Sequence, residues 1–265
     1  MAYFERVSGS AFRATEHVGG AWATDEQHVA PAFGLLVHVV ERDRDTRRDD
    51  GAVVARLSFD ILGVLPVDVV ETAVRVVRAG RTIELVEATL THAGRAAVVL
   101  RAWLMQPRDT AHLRGGGLPA VDPPGAVAPW NGSDVWRGGF VASLEIRRRE
   151  LEPGRALCWV RTPHPLVAGE PVSRLAAAAG LFDLANGIAV RADPRDLAFP
   201  NLDLTAHLFA PPRDGWLGLD TTVCFGPDGV GLTSSVLHDA DGPIGTLAQI
   251  LTLRPTRRPA GADVP

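Results

Sequence analysis

The chain has 265 residues, of which 46% are hydrophobic and 22% charged, a balance typical of a globular protein with one large or two ordinary domains. The formal net charge of -4 argues against a general nucleic-acid-binding protein, which would usually present a basic face. The N-terminal residues lack the apolar core of a signal peptide and no apolar run reaches membrane-spanning length, so we expect no membrane partner. The two cysteines, Cys158 and Cys224, lie far apart and form no CxxC motif, which predicts a reducing, cytoplasmic location without disulfides.

The stretch Gln27 to Asp43, QHVAPAFGLLVHVVERD, predicts one helix. Pro31 suits a first helical turn, and no charged residue follows until Glu41. A helix that is apolar around its circumference must be enclosed by other structure. Its valines would also suit a strand, so the residues after Asp43 decide between the two.

Runs of alternating apolar and polar residues come after the helix, separated by short turns, and they predict an antiparallel meander that encloses it. These runs are Val53–Leu62, Val69–Val77, Ile83–Leu90 and Ala96–Leu104. A further short strand is predicted near Gly20–Ala23.

Residues 107–134 are rich in glycine and proline and are predicted to be a linker between residues 1–106 and residues 135–255, with a tail at 256–265. The second half repeats the order of the first, with a helix at Arg174 to Asn186. Its predicted strands are Phe140–Arg147, Ala156–Thr162, Leu202–Phe209, Trp216–Phe225, Gly231–His238 and Gly245–Leu253.

The two halves align with each other as sequences. GRTIELVEATLTHAGRAAVVLRAWL, from Gly80, lines up with DGVGLTSSVLHDADGPIGTLAQILT, from Asp228, and the turns at Gly94 and Gly242 coincide without a gap. This pattern predicts a duplicated α+β unit. The alternative is that any two antiparallel meanders resemble each other.

Several segments of the chain resemble the acyl-CoA thioesterase II family, the double-hotdog thioesterases. They are QHVAPAFGLL in the first half and FDLAN, NLDLTAHLFAPP, WLGLD and GPIGTLAQILTLR in the second. The resemblance implies an α+β double hotdog, in which two antiparallel sheets each wrap around a central helix to form an intramolecular pseudo-dimer. It also implies hydrolysis of an acyl-CoA thioester by water without a cofactor. Because the edges of hotdog sheets usually pair with another copy, we expect a homodimer or higher homo-oligomer, and the net charge predicts no nucleic-acid partner.

The same resemblance implies a set of catalytic residues. The family's strand aspartate falls on Asp203 and its glutamine on Gln249, while its threonine or serine position is occupied by Cys224. A thiol is a weaker hydrogen-bonding group than a hydroxyl, and Thr222, two residues earlier on the same strand face, is an alternative. Asp183 in FDLAN matches another aspartate of the family, with a purely structural role equally open.

The residue pattern supports Gln249 independently, because it is the polar member of an otherwise apolar strand face that includes Leu247 and Leu251. A buried amide needs hydrogen-bonding partners, either backbone groups or a water and a substrate oxygen. Asp203 would hold a water as general base, or would simply be a solvated strand end. Arg101 occupies the aligned position in the first half, so we predict one site per chain.

The start of the first helix is the predicted substrate-binding element. Backbone N–H groups at a helix N-terminus suit a carbonyl oxygen that gains negative charge, and this implicates His28, Val29 and Ala30. His28 would otherwise be a cap or a packing residue.

Other chemistries find less support in the sequence. There is no GxSxG motif or phosphate-binding loop, and the eight histidines show no paired spacing, so no metal site is predicted. Cys224 as a covalent nucleophile would need an adjacent base. Two rival hypotheses remain: a hotdog dehydratase that uses His28, and a non-catalytic acyl-CoA- or lipid-binding protein.

Overall fold

The first helix forms as the sequence predicts. In the computed structural model, which describes residues 1–256, α1 spans Val29–Arg47 and its residues from Ala30 to His38 are all buried. The helix is enclosed because its apolar residues cover every side. The predicted tail lies almost wholly outside the described residues.

The meander of the first repeat is confirmed, and two short strands precede the helix. The strands are β1 (Phe4–Arg6), β2 (Ala11–Ala14), β3 (Val53–Ile61), β4 (Val69–Arg78), β5 (Ile83–His92) and β6 (Arg95–Met105). The strand predicted near Gly20–Ala23 is wrong, because these residues form a loop.

The second repeat has the same order with a shorter central helix. Its helices are α2 (Gly139–Ala142), α3 (Arg174–Ala179) and α4 (Ala185–Ile188). Its strands are β7 (Pro129–Trp130), β8 (Glu145–Glu152), β9 (Arg155–Arg161), β10 (Leu197–Ala198), β11 (Asp203–Leu208), β12 (Leu217–Phe225), β13 (Val230–Asp239), β14 (Gly242–Thr252) and β15 (Arg254–Pro255).

Two predictions for the second repeat need correction. The helix predicted for Arg174 to Asn186 is broken at Gly180 and continues through a 3₁₀ turn at residues 182–184 into α4. The start of the predicted strand Phe140–Arg147 is helical, within α2, and the strand begins at Glu145.

The strands of both repeats join into one antiparallel sheet. Within residues 1–256 this sheet has thirteen strands in the order β1-β2-β4-β5-β6-β3-β11-β14-β13-β12-β9-β8-β7, and β10 pairs separately with β15. The two repeats meet where β3 pairs with β11. The predicted double hotdog is therefore present, with its two sheets merged by hydrogen bonds at this seam.

The inner face of the sheet holds the helices and most of the hydrophobic core. α1 and α3 cross closely at Gly34, where a Cβ atom would lie 2.8 Å from the Ala176 carbonyl oxygen. The two helices run antiparallel, since Ser173 at the start of α3 contacts Glu41 late in α1. This crossing brings the start of α1 beside the 3₁₀ turn that comes after α3. Within residues 1–256, no helix is both long and apolar enough to cross a membrane.

Candidate active site

Gln249 lies on the inner face of β14, as its apolar surroundings predict. Leu247, Gln249 and Leu251 are buried while Ala248 and Ile250 are exposed, and the Gln249 side chain is only 1% accessible. Its amide Nε2 donates a hydrogen bond of 2.8 Å to Oδ1 of Asp183. The buried amide is therefore paired with a carboxylate from the other side of the core.

Asp183 is the buried carboxylate at the centre of this site. It lies in the 3₁₀ turn after α3, and its Oδ1 also accepts a 2.6 Å hydrogen bond from Nδ2 of Asn201. Burial raises the pKa of Asp183 from its ordinary 3.8 to about 7, although the hydrogen bonds from Asn201 and Gln249 oppose the rise. At neutral pH this carboxyl group therefore exists in both protonation states.

His28 caps the N-terminus of α1 and faces Asp183. Its Nδ1 accepts the N–H of Ala30 at 3.2 Å, and burial lowers the pKa of His28 to about 4. The ring is therefore neutral at pH 7, with its proton on Nε2. The 3.8 Å between Nδ1 and Oδ2 of Asp183 is accordingly neither an ion pair at neutral pH nor a hydrogen bond.

The first turn of α1 leaves one backbone donor available. Pro31 has no N–H and the N–H of Ala30 is taken by His28, whereas the N–H of Val29 bonds to no protein acceptor among residues 1–256. Of the predicted substrate-binding residues, Val29 thus offers a donor at the positive end of the helix dipole, and Ala30 does not.

A small cavity lies between His28 and Asp183, at the interface of the two repeats. Its apolar walls are Trp22, Trp130, Trp136, Val141 and Ile146, and its volume is about 30 Å³. A space of this size holds one or two water molecules beside the carboxylate.

Thr233 is a further polar residue on the inner face, and sequence reasoning missed it. It lies directly opposite Gln249 in the pairing of β13 with β14 and is fully buried. Its Oγ1 and the Oε1 of Gln249 are both buried without a hydrogen-bonding partner in the described chain. Side chains at such paired positions lie about 5 Å apart, so one bridging molecule could satisfy both.

Asp203 does not join this cluster, so the expectation that Asp203 and Gln249 belong to one catalytic set is wrong. The pairing of β11 with β14 sets Thr205 opposite Ala248, so Leu204 and not Asp203 faces inward beside Gln249. Asp203 lies on the outer face, where its Oδ1 accepts the N–H of Ile250 at 2.7 Å. The reason is the two-residue period of a strand, which turns neighbouring residues to opposite faces.

The same period separates Thr222 and Cys224 from the site. Both are exposed on the outer face of β12, while Thr221 and Val223 face the core. The hydroxyl beside Gln249 is that of Thr233, on the next strand. Arg101, the predicted counterpart of Gln249, also lies on an outer face, where it donates to Glu87 at 2.9 Å. In the part of the chain that the structure describes, no three side chains converge to hold a metal ion.

Comparison with known sequences identifies both halves of the chain. A profile of the acyl-CoA thioesterase N-terminal domain matches residues 18–105, and one of the acyl-CoA thioesterase C-terminal domain matches residues 119–253. A search of curated proteins found no match.

Solved structures share the fold over nearly the whole chain. A hot dog protein of unknown function from Alicyclobacillus acidocaldarius has a TM-score of 0.73 and 14% identity, covering 95% of this chain and 96% of its own. A protein provisionally described as a thioesterase, from Novosphingobium aromaticivorans, has a TM-score of 0.72 and 20% identity, covering 96% and 99%. Acyl-CoA thioesterase II TesB2 from Mycobacterium marinum has a TM-score of 0.67 and 16% identity, covering 96% of each chain.

At these identities the structures establish the fold alone, and the domain profiles establish the family. Because the two profiles cover the N-terminal and C-terminal repeats in the order of the fold, the chain belongs to the two-domain acyl-CoA thioesterase family.

Proposed function

We propose that this protein hydrolyses acyl-CoA thioesters with Asp183 as the general base. The family and the fold support thioester hydrolysis in general. The observation that carries the proposal is a buried carboxylate beside a water-sized cavity, at the start of a helix with a free backbone donor.

Asp183 has one oxygen for positioning and one for chemistry. The amides of Gln249 and Asn201 both donate to Oδ1, so they fix the carboxylate and leave Oδ2 on the side of His28 and the cavity. A water held there gives its proton to Oδ2 as its oxygen attacks the thioester carbonyl carbon. The C–S bond then breaks, the proton passes to the leaving thiolate, and the products are a carboxylic acid and free CoA.

The pKa of Asp183 suits this task. A general base works best when its pKa lies near the operating pH, because it is then both available and strong enough to accept a proton. A solvated aspartate near 3.8 would be available but weak. Burial supplies the higher pKa of about 7.

The N–H of Val29 is the proposed donor to the carbonyl oxygen, which gains negative charge in the transition state. His28 holds the first turn of α1 through its bond to Ala30. In this proposal His28 stays neutral and positions the helix start. The dehydratase hypothesis loses support, because the Nδ1 of His28 is already occupied as a cap.

The test compares a carboxylate inside the core with a carboxylate on the outer face of the sheet. Purified protein is mixed with acyl-CoAs of several chain lengths, and release of free thiol is followed. Asp183→Asn keeps the shape of the site and should lower kcat/KM by about a thousandfold, within the range for loss of a general base. Asp203→Asn is the matched control and should retain the wild-type rate. The reverse result would return the catalytic role to Asp203.

The alternative of a non-catalytic acyl-CoA-binding protein is a separate outcome of this assay. It predicts saturable binding of acyl-CoA with no thiol release above the uncatalysed rate, and no difference between wild type and Asp183→Asn. That result would overturn the hydrolase proposal.

Assembly and location complete the proposal. We expect a homodimer or higher homo-oligomer in the cytoplasm. A light-scattering mass of one 28.2 kDa chain would contradict the assembly, and fractionation of the source cells tests the location.

A further inference from the structure

We propose that Trp22 closes the acyl end of the site, so that the wild-type enzyme prefers short acyl groups and the side chain at position 22 sets the chain length. This inference rests on the proposed function and adds the substrate class to it. Its starting point is the cavity of about 30 Å³ beside Asp183, which accommodates water but not an extended acyl chain.

Two tryptophans of the cavity wall, Trp136 and Trp22, differ in burial and in hydrogen bonding. Trp136 is buried, and its indole N–H donates to the carbonyl oxygen of Gly187 at 2.8 Å. Trp22 is 46% exposed, and its indole N–H has no protein acceptor among residues 1–256. Its ring meets those of Trp136 and Phe199 edge-on, with centroid distances of 5.1 and 5.5 Å.

The loop that carries Trp22 is closed at its base by backbone hydrogen bonds. Its ends are held together by the Gly20 N–H, which donates to the Glu26 carbonyl at 2.7 Å, and by a bridge between Gly19 and Gln27. Trp22 lies between these fixed ends and belongs to no strand or helix. Rotation of the Trp22 side chain therefore breaks its aromatic contacts and no hydrogen bond of that side chain among residues 1–256.

Trp22 both lines the cavity and is partly exposed to solvent, so its side chain is a wall that an acyl group can displace outward. A longer acyl group needs a larger displacement of this wall than a short one. Each added methylene that does not fit a closed pocket lowers kcat/KM by about tenfold or more. We therefore expect a preference for acetyl- to butanoyl-CoA over octanoyl-CoA.

The experiment measures kcat/KM for acetyl-, butanoyl-, octanoyl- and dodecanoyl-CoA. Trp22→Ala should raise the ratio of octanoyl to acetyl hydrolysis by at least about tenfold, and Trp22→Phe should fall between it and wild type. Trp103→Ala is the matched control, because Trp103 is a partly exposed tryptophan of the first repeat that contacts Arg78 away from the site. It should leave the ratio unchanged. Thermal unfolding of each variant checks folding, and Trp22→Leu replaces Trp22→Ala if the alanine variant does not fold.

The outcomes separate this inference from the proposed function. Thiol release with an octanoyl-to-acetyl ratio that is identical in wild type and the Trp22 variants would overturn the role of Trp22 and leave the hydrolase intact. Wild-type preference for dodecanoyl-CoA would also overturn it. Absence of thiol release from every acyl-CoA would instead contradict the proposed function itself.

Discussion

The two central helices begin in equivalent places but in very different polar surroundings. α1 is capped by His28, which lies beside Asp183, and α3 is capped by Ser173, which lies beside Glu41. At the start of α3 the polar side chains are paired with each other: the Ser173 hydroxyl accepts the Ala176 N–H at 3.0 Å and donates to the Glu41 carboxylate.

Glu170, three residues before Ser173, is also paired. It binds Arg6, Arg42 and His38, and the contacts with Arg6 and His38, the hydrogen bond from Arg6 first, lower its pKa to about 2 against the opposing effect of burial. The polar side chains of this cluster are paired within the protein and need no ligand. Their contacts hold α1 of the first repeat against the segment of the second repeat that leads into α3.

The cluster around Asp183 is incomplete by comparison. The Oε1 of Gln249 and the Oγ1 of Thr233 are buried and lack protein partners in the described chain. An unpaired buried polar group destabilises a fold, so two of them at facing positions beside one carboxylate indicate that water or substrate supplies the missing bonds. The capped start of α3 therefore has a structural role, whereas unpaired polar groups that a substrate or water can bind remain near the equivalent start of α1.

Catalytic activity should respond strongly to substitution at the start of α1 and hardly at all to substitution at the start of α3. Asp183→Asn should lower kcat/KM for the preferred acyl-CoA by about a thousandfold, whereas Glu41→Gln should leave it within about twofold because Glu41 contacts no reacting atom. Initial rates of thiol release measure both. Comparable losses in the two variants would show that the assay reports folding and not catalysis.

The second effect concerns stability, and its sign is set by the pKa of Asp183. Below pH 3.8 the carboxyl group is protonated in both folded and unfolded chains and contributes nothing. As the pH rises the unfolded chain ionises first, so wild-type stability falls until about pH 7, the folded pKa. At higher pH the deficit is on the order of 4 kcal/mol, from about 1.4 kcal/mol per pKa unit. Asp183→Asn removes it, so urea unfolding should find the variant more stable than wild type at pH 8 and similar at pH 4.

Glu170 should change the stability of the protein with pH in the opposite direction to Asp183. Its folded pKa lies below its ordinary 4.5, so its ion pairs stabilise the fold fully above that pH, and the contribution is lost as the pH falls toward 2. Glu170→Gln should therefore destabilise the protein at pH 8. A Glu170 variant more stable than wild type at that pH would contradict the contrast between the two clusters.

Substitution of Thr233 should lower activity less than substitution of Asp183. Thr233→Val removes a buried hydroxyl without a protein partner, so unfolding free energy should stay the same or rise. If a water bridges Thr233 and Gln249, kcat/KM should still fall by about tenfold, the equivalent of one lost hydrogen bond. Thr233→Ser should keep most of the activity. Full activity in Thr233→Val would exclude the bridge.

The smallest expected effect lies at the start of α3. Ser173→Ala removes the helix cap and the partner of Glu41, and should cost about 1 kcal/mol of unfolding free energy. Chemical denaturation measures it, and kcat/KM should remain at the wild-type value. A large loss of activity would mean that the second cluster also takes part in catalysis.

Much of the fold could be predicted from residue patterns, because strands with one buried face must alternate. The four runs after α1 and the strands after Asn201 obey that rule. The helix break at Gly180 was harder to predict, because strong helix-forming residues surround it. The short strands β1 and β2 carry too few residues for a periodic pattern.

The site was only partly predictable. Gln249 stands out as an amide on an apolar face, and its burial could be read from the sequence. Asp203 could have been excluded in the same way, because Leu204 and Ala206 mark the inner face of β11 and Asp203 falls on the other. Asp183 reaches Gln249 only through tertiary packing, and Thr233 meets Gln249 only through the register of β13 on β14. Neither contact leaves a signal in one sequence.

The most direct test of Asp183 as the general base is the pH dependence of kcat/KM. The profile reports the pKa of the essential base in the free enzyme. We predict a rise through an apparent pKa of about 7, as Asp183 ionises, to a plateau at higher pH. A rate already constant from pH 5 upward would identify an ordinary, solvated carboxylate as the base and would contradict the assignment to Asp183.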